Sequence, residues 1–71
     1  MKTTNAWQLK KNQRGIVSKI QPTVNPRVIA LCILPGNLII CKQRWGSGGV
    51  YAVQNLRVYL SKEDAAGVML R

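Results

Sequence analysis

Short alternating runs of apolar and polar residues, separated by Gly, Pro and Asn, run along this chain. Over Gly15–Ile20, Ile16, Ser18 and Ile20 fall on one face and Val17 and Lys19 on the other, the period-two pattern of a strand. "QPTVNP" follows and, with two prolines in six residues, is a loop. "NLIICKQR", residues 37–44, is the clearest strand. Leu38 and Ile40 share one face, Ile39 and Cys41 the other, and both faces begin apolar, which predicts a central strand. "WGSGG", residues 45–49, is expected to be a flexible hairpin turn. "VYAVQN" and "RVYLS" alternate as two further strands joined by a tight turn at "QNL", and "VMLR" is a short last strand.

Two segments carry helix signals. "RVIALCIL", residues 27–34, fits a two-turn helix or a buried strand on periodicity alone. Asn25 as N-cap, Pro26 at the first helical position, and the Pro35–Gly36 stop favour a short helix. Pro35 cannot continue it, and Gly36 supplies a permissive turn. In "SKEDAAG", Ser61 is the N-cap, Glu63 and Asp64 complement the helix dipole, and Gly67 ends the turn. The prediction is a mainly β fold: a small five-stranded SH3-like barrel, with one short α-helix after the first strand and a short helical turn before the last. Closure into a barrel removes the sheet edges and makes one core. An OB-fold is the alternative. Residues 1–8 are assigned to an N-terminal segment and 9–71 to a single domain.

Composition sharpens this picture. A chain of 71 residues buries roughly 60% of the surface it exposes when unfolded, so its stability is expected to be marginal. Phe is absent, leaving Val, Leu and Ile to fill the core. Eleven Lys and Arg face two acidic residues, a formal charge of +9, which implies an anionic partner: nucleic acid, an anionic membrane or an acidic protein surface. The cations are scattered, with Lys10, Lys11 and Arg14 the one cluster, and a generally solvated basic surface is the plainer interpretation. The longest apolar run, Val28–Leu34, is far below the ~20 residues of a membrane span, and the N-terminus lacks the apolar stretch of a signal peptide. A cytosolic protein is therefore expected, with Cys32 and Cys41 as reduced, buried thiols.

The order of these signals resembles the FeoA family, the small cytosolic accessory proteins of bacterial ferrous iron uptake. "RVIALCILPG" resembles that family's helix-and-turn signature through Arg27, Leu31, Ile33, Leu34, Pro35 and Gly36. "LKKNQRGIVSKI" resembles its opening and "VYLSKEDAAGVML" its ending, so the likeness spans residues 9–70. The chain departs from the family at Cys32, where Gly is usual, and at "WGSGG", where the family often has prolines. The resemblance implies an SH3-like barrel, a cytosolic setting, and a regulatory or assembly partnership with FeoB, the membrane transporter that carries a GTPase domain.

The residues point away from catalysis. Without His, only Glu63 or Asp64 is available for acid–base work, and both fit a helix start better. Neither Cys has a His to activate it, and "WGSGG" lacks the spacing and the Lys of a phosphate-binding loop. Cys32 and Cys41 are too few for a structural metal site. No metal, cofactor or catalytic residue is assigned. The expected contact surface is the outer face of the first helix with its turn: Arg27, Ile29, Ile33, Leu34, Pro35 and Gly36, with Ile29, Ile33 and Leu34 dividing between core and partner. Val28, Leu31 and Cys32 are the competing demand for plain core packing. Arg44 is a candidate arginine finger on a partner GTPase, although any exposed Arg at a strand end has the same sequence signature. Trp45 is either an exposed anchor or a cap on the barrel, and Trp7 is expected to plug the barrel's other side.

Three functional readings follow. One is a non-catalytic accessory module for a FeoB-type transporter, its cations also favouring the anionic inner leaflet. The second is a basic nucleic-acid-binding barrel, for which Arg44–Trp45 is the adjacent cation–aromatic pair. The third is a self-assembling module that pairs edge strands as a homo-oligomer.

Overall fold

A computed structural model describes residues 5–22, 24–30 and 33–71, without the side chains of Ile29 and Ala30. Leu31, Cys32 and the Ile29 side chain, all named above, lie outside the described residues. The strands are β1 (Arg14–Ile20), β2 (Leu38–Arg44), β3 (Gly48–Val53), β4 (Leu56–Ser61) and β5 (Val68–Leu70). A 3-10 turn, Ala6–Gln8, precedes β1; helix α1 (Pro26–Ala30) follows it, and helix α2 (Lys62–Gly67) links β4 to β5. All the pairings are antiparallel, in the order β4-β3-β2-β1-β5, so β2 is central as its two apolar faces predict. The extents of 24 × 23 × 22 Å show the sheet curled upon itself, with α2 bridging the two outer strands. This is the mainly β, SH3-like barrel expected from the sequence.

Alternation explains most of the interior. Ile39 and Cys41 on β2, Tyr51 and Val53 on β3, and Val58 and Leu60 on β4 all point inward and are buried. Val17, Val68 and Leu70 meet them from β1 and β5, and Val24, Val28 and Ala65 close the helical side. Strand β1 departs from strict alternation. Its pairing with β5 shifts between Val17 and Lys19, so Val17 is fully buried while Ser18 and Lys19 are both exposed. A bulge adds one residue that a period-two pattern does not reveal.

The turns use different devices. The β3–β4 hairpin has a two-residue loop in which Gln54 (φ 50°) and Asn55 (φ 68°) are both left-handed, as a type I′ turn requires. "WGSGG" is less of a turn than expected: Gly48 and Gly49 are buried members of β3. A Cβ on Gly48 would lie 2.5 Å from the Leu60 carbonyl oxygen, and one on Gly49 2.6 Å from that of Gln43. Close strand approach, not flexibility, requires glycine there. The loop is closed by the Trp45 amide donating to the Gly48 carbonyl at 2.7 Å.

Helix α1 is shorter than the sequence suggests: Ile33 and Leu34 lie outside it. Leu34 precedes Pro35, whose ring disfavours helical backbone at the residue before it. Asn25 caps the helix start, its Oδ1 accepting from the Arg27 amide at 2.9 Å, while its own amide donates to Asp64 Oδ1 at 3.2 Å. Ser61 Oγ accepts from the Asp64 amide at 3.2 Å, so Asp64 ties the starts of both helices together. None of the described helices is long and apolar enough to cross a membrane.

Candidate functional site

The Leu34–Asn37 segment is a hydrogen-bonded reverse turn: the Asn37 amide donates to the Leu34 carbonyl at 3.1 Å. Gly36, at φ 94°, holds the left-handed position that a type II turn gives to glycine, with Pro35 before it. The turn is locked onto β1, since the Gly36 amide donates to the Val17 carbonyl at 2.7 Å and the Val17 amide to the Asn37 carbonyl at 2.9 Å. It presents Leu34, 43% exposed, together with exposed Pro35 and Gly36. Ile33, one residue earlier, is fully buried and belongs to the core, so it leaves the expected contact set. Of the apolar residues expected to divide between core and surface, Ile33 goes inward and Leu34 outward.

Beside this turn, the outer surface of β2, β3 and β4 is concave and encloses about 520 Å³. Leu38, Ile40, Ala52 and Leu56 line it, with Lys42 and Arg57 the charged members. The Gln54 side chain, also in the lining, donates from Nε2 to Asn37 Oδ1 at 3.3 Å and joins the groove to the turn. The apolar outer face of β2 is visible in the sequence; the concavity it lines is visible only once the strands are paired.

Arg27 is exposed at the start of α1 and lines a cleft of about 150 Å³ with Asn25, Val28, Tyr59, Ser61 and Asp64. Tyr59 forms a tilted aromatic pair with Trp45, ring centroids 6.5 Å apart, and both rings are about half exposed. Trp45 therefore stands outside the barrel as part of an aromatic ledge and is not its cap. Tyr59 brings Arg27 and Trp45 to one region, and no single-sequence signal singled it out beyond its outward parity two residues after Arg57.

Arg44 has a different task. Its Nη1 donates to the Trp7 carbonyl at 2.5 Å and reaches the Leu9 carbonyl at 3.4 Å. The guanidinium also sits over the Trp7 ring at 4.9 Å, where Lys62 Nζ approaches at 5.9 Å. This clasp holds the N-terminal 3-10 turn on the barrel, and Trp7 packs half-buried against the core as expected of a plug. An Arg engaged with two carbonyls and a ring is not free to reach a partner's nucleotide without first releasing that turn.

Beneath the clasp, the buried Tyr51 hydroxyl donates to the Ala6 carbonyl at 3.2 Å. Burial pushes the Tyr51 phenol up to about 12; Cys41 adds to the rise and Arg44 opposes it. Burial likewise raises the Cys41 thiol, against the pull of Arg44. A thiol held protonated in this way is a poor nucleophile. Among the described residues, no group of three or more His, Cys, Asp and Glu side chains converges to hold a metal ion. What the surface offers is contact chemistry: a fixed apolar turn, an apolar groove with cations, and an aromatic ledge.

No family model matches the chain, and a search of curated proteins gave no significant match. Solved structures do match. The crystal structure of an iron uptake regulatory protein, FeoA, superposes with a TM-score of 0.83 at 23% identity, covering 93% of this chain and 92% of that one. The solution structure of a FeoA-like protein from Clostridium acetobutylicum gives a TM-score of 0.83 at 14% identity, covering 100% of this chain and 88% of that one. The chain thus has the fold of the FeoA-like proteins, the SH3-like barrel anticipated from its sequence.

Proposed function

We propose that this protein is a non-catalytic accessory factor of ferrous iron uptake that works in the cytosol by binding the cytosolic part of a FeoB-type GTPase transporter. The fold it shares with an iron uptake regulatory protein supports the process. The observation that carries the contact is Leu34: a large apolar side chain, 43% exposed, on a turn fixed to β1 by two backbone hydrogen bonds. An apolar side chain carried on a pre-ordered backbone leaves less conformational freedom to lose on docking, which is how small interfaces gain affinity. The basic surface adds attraction to acidic protein patches and speeds encounter. A binding titration of the transporter's cytosolic domain tests this. The wild type is expected to bind, and Leu34→Asp to weaken binding by about tenfold or more, as burial of a new charge at a contact demands. Equal affinities would remove the turn from the interface, and absence of wild-type binding would reject the reading.

A further inference from the structure

We infer that the groove on the outer surface of β2, β3 and β4 receives an extended segment of the protein partner in which apolar residues are flanked by carboxylates. The identity of the partner rests on the function proposed above; the location and chemistry of the grip come from the groove itself. The outer face of an antiparallel sheet is ordinarily polar where it meets water. Here the strand register sets Ile16 beside Leu38 and Ile40 beside Ala52 on that face. Leu38 and Leu56 remain 39% and 49% exposed, and Ile40 and Ala52 are only half-buried. Apolar surface gathered in a concavity of about 520 Å³ marks a contact site more strongly than single exposed leucines do.

The lining selects the occupant. Its apolar members are aliphatic, which suits aliphatic side chains; nucleobases are held on aromatic faces, and the aromatic ledge of Trp45 and Tyr59 is not part of this groove. Its charged members, Lys42 and Arg57, are both cations, and no carboxylate lines it. The complement is therefore acidic and apolar together. At ~3.3 Å per residue, Leu38 to Lys42 spans about 13 Å, the length of roughly four residues of extended chain. The Gln54–Asn37 hydrogen bond then leads from the groove to the turn that bears Leu34, so one continuous partner surface reaches both.

Titrations of the transporter's cytosolic domain with wild type, Leu34→Asp, Leu56→Asp and Arg57→Glu separate the two levels. Leu56 and Arg57 are exposed, so neither substitution disturbs the core, and amide spectra of each variant are the check that its fold is kept. Both groove variants are expected to lose about tenfold in affinity, with the Arg57→Glu loss shrinking in high salt. Groove variants that bind like wild type would overturn this inference while leaving the proposed function standing. Should the wild type not bind that domain, the proposed function falls, and a peptide alternating Leu with Asp, against a version with Lys for Asp, still decides the groove. Amide shifts confined to β2–β4 with the acidic peptide alone support it; no shifts, or equal shifts with both, overturn it. A thymidine oligonucleotide that displaces the acidic peptide and binds more tightly would also overturn it, in favour of a nucleic-acid surface.

Discussion

At the residue scale, single atoms decide what a position tolerates. Gly36 and Gly49 illustrate opposite constraints. Around Gly36 there is open space, so Gly36→Ala is limited only by its left-handed backbone and should cost about 1 kcal/mol. Gly49 has a backbone outside the left-handed region but no room for a side chain, and Gly49→Ala, driven against the Gln43 carbonyl, should cost about 1–3 kcal/mol. Urea denaturation of the two variants beside wild type checks both values. Tyr51 gives the pH dependence. Its folded-state value of about 12 lies above the ordinary 10, so the fold favours the protonated phenol. That stabilisation is complete below about pH 10 and is lost as pH rises towards 12. The raised thiol of Cys41 acts in the same direction. With no His in the chain, stability should stay level around neutrality and fall at alkaline pH. Tyr51→Phe should flatten that alkaline fall in a series of denaturation midpoints, at the cost of about 1 kcal/mol at neutral pH from the lost bond to Ala6.

At the element scale, the sequence showed the barrel because its strands obey period two and its helix starts carry caps. Val17, Ile39, Tyr51, Val53, Val58 and Leu60 fall inward by alternation or by their place on a well-marked strand. Features that depend on the partner strand were not legible. The bulge after Val17 inserts a residue without altering composition, and the burial of Gly48 and Gly49 follows from the opposing carbonyls. The groove is similar: the apolar parity of Leu38 and Ile40 was plain, but a central strand and a docking surface produce the same letters. Arg44 shows the limit most clearly, because its carbonyl partners lie 37 and 35 residues away. Its clasp predicts that Arg44→Ala loosens the N-terminal 3-10 turn. The amide of Leu9, which donates to Ala6 at 3.2 Å, should then exchange with solvent faster by about tenfold, while β2–β4 amides keep their protection. Arg44→Lys should not restore it, since a lysine ammonium lacks the planar fork that spans two carbonyls and a ring.

At the scale of the whole molecule, eleven Lys and Arg against two acidic residues in a body about 23 Å across create self-repulsion. The thermal midpoint should therefore rise with added salt, most steeply up to about 0.15 M, where the screening length falls to about 8 Å. Calorimetry at increasing NaCl checks this, and the same screening should weaken association with an acidic partner, so stability and affinity move in opposite directions. The two indoles divide the molecule between them. Trp7 lies under Arg44 on the clasp that seats the N-terminal turn, whereas Trp45 stands half exposed on Tyr59. The protein should thus carry a pair of optical gauges: emission from Trp7 is expected to follow whether the barrel's end is latched, and emission from Trp45 whether any contact extends onto the open ledge. Replacing either ring with Tyr, in a pair of single-Trp variants, isolates the remaining signal, so latching of the turn and exposure of the ledge can be timed separately without a label.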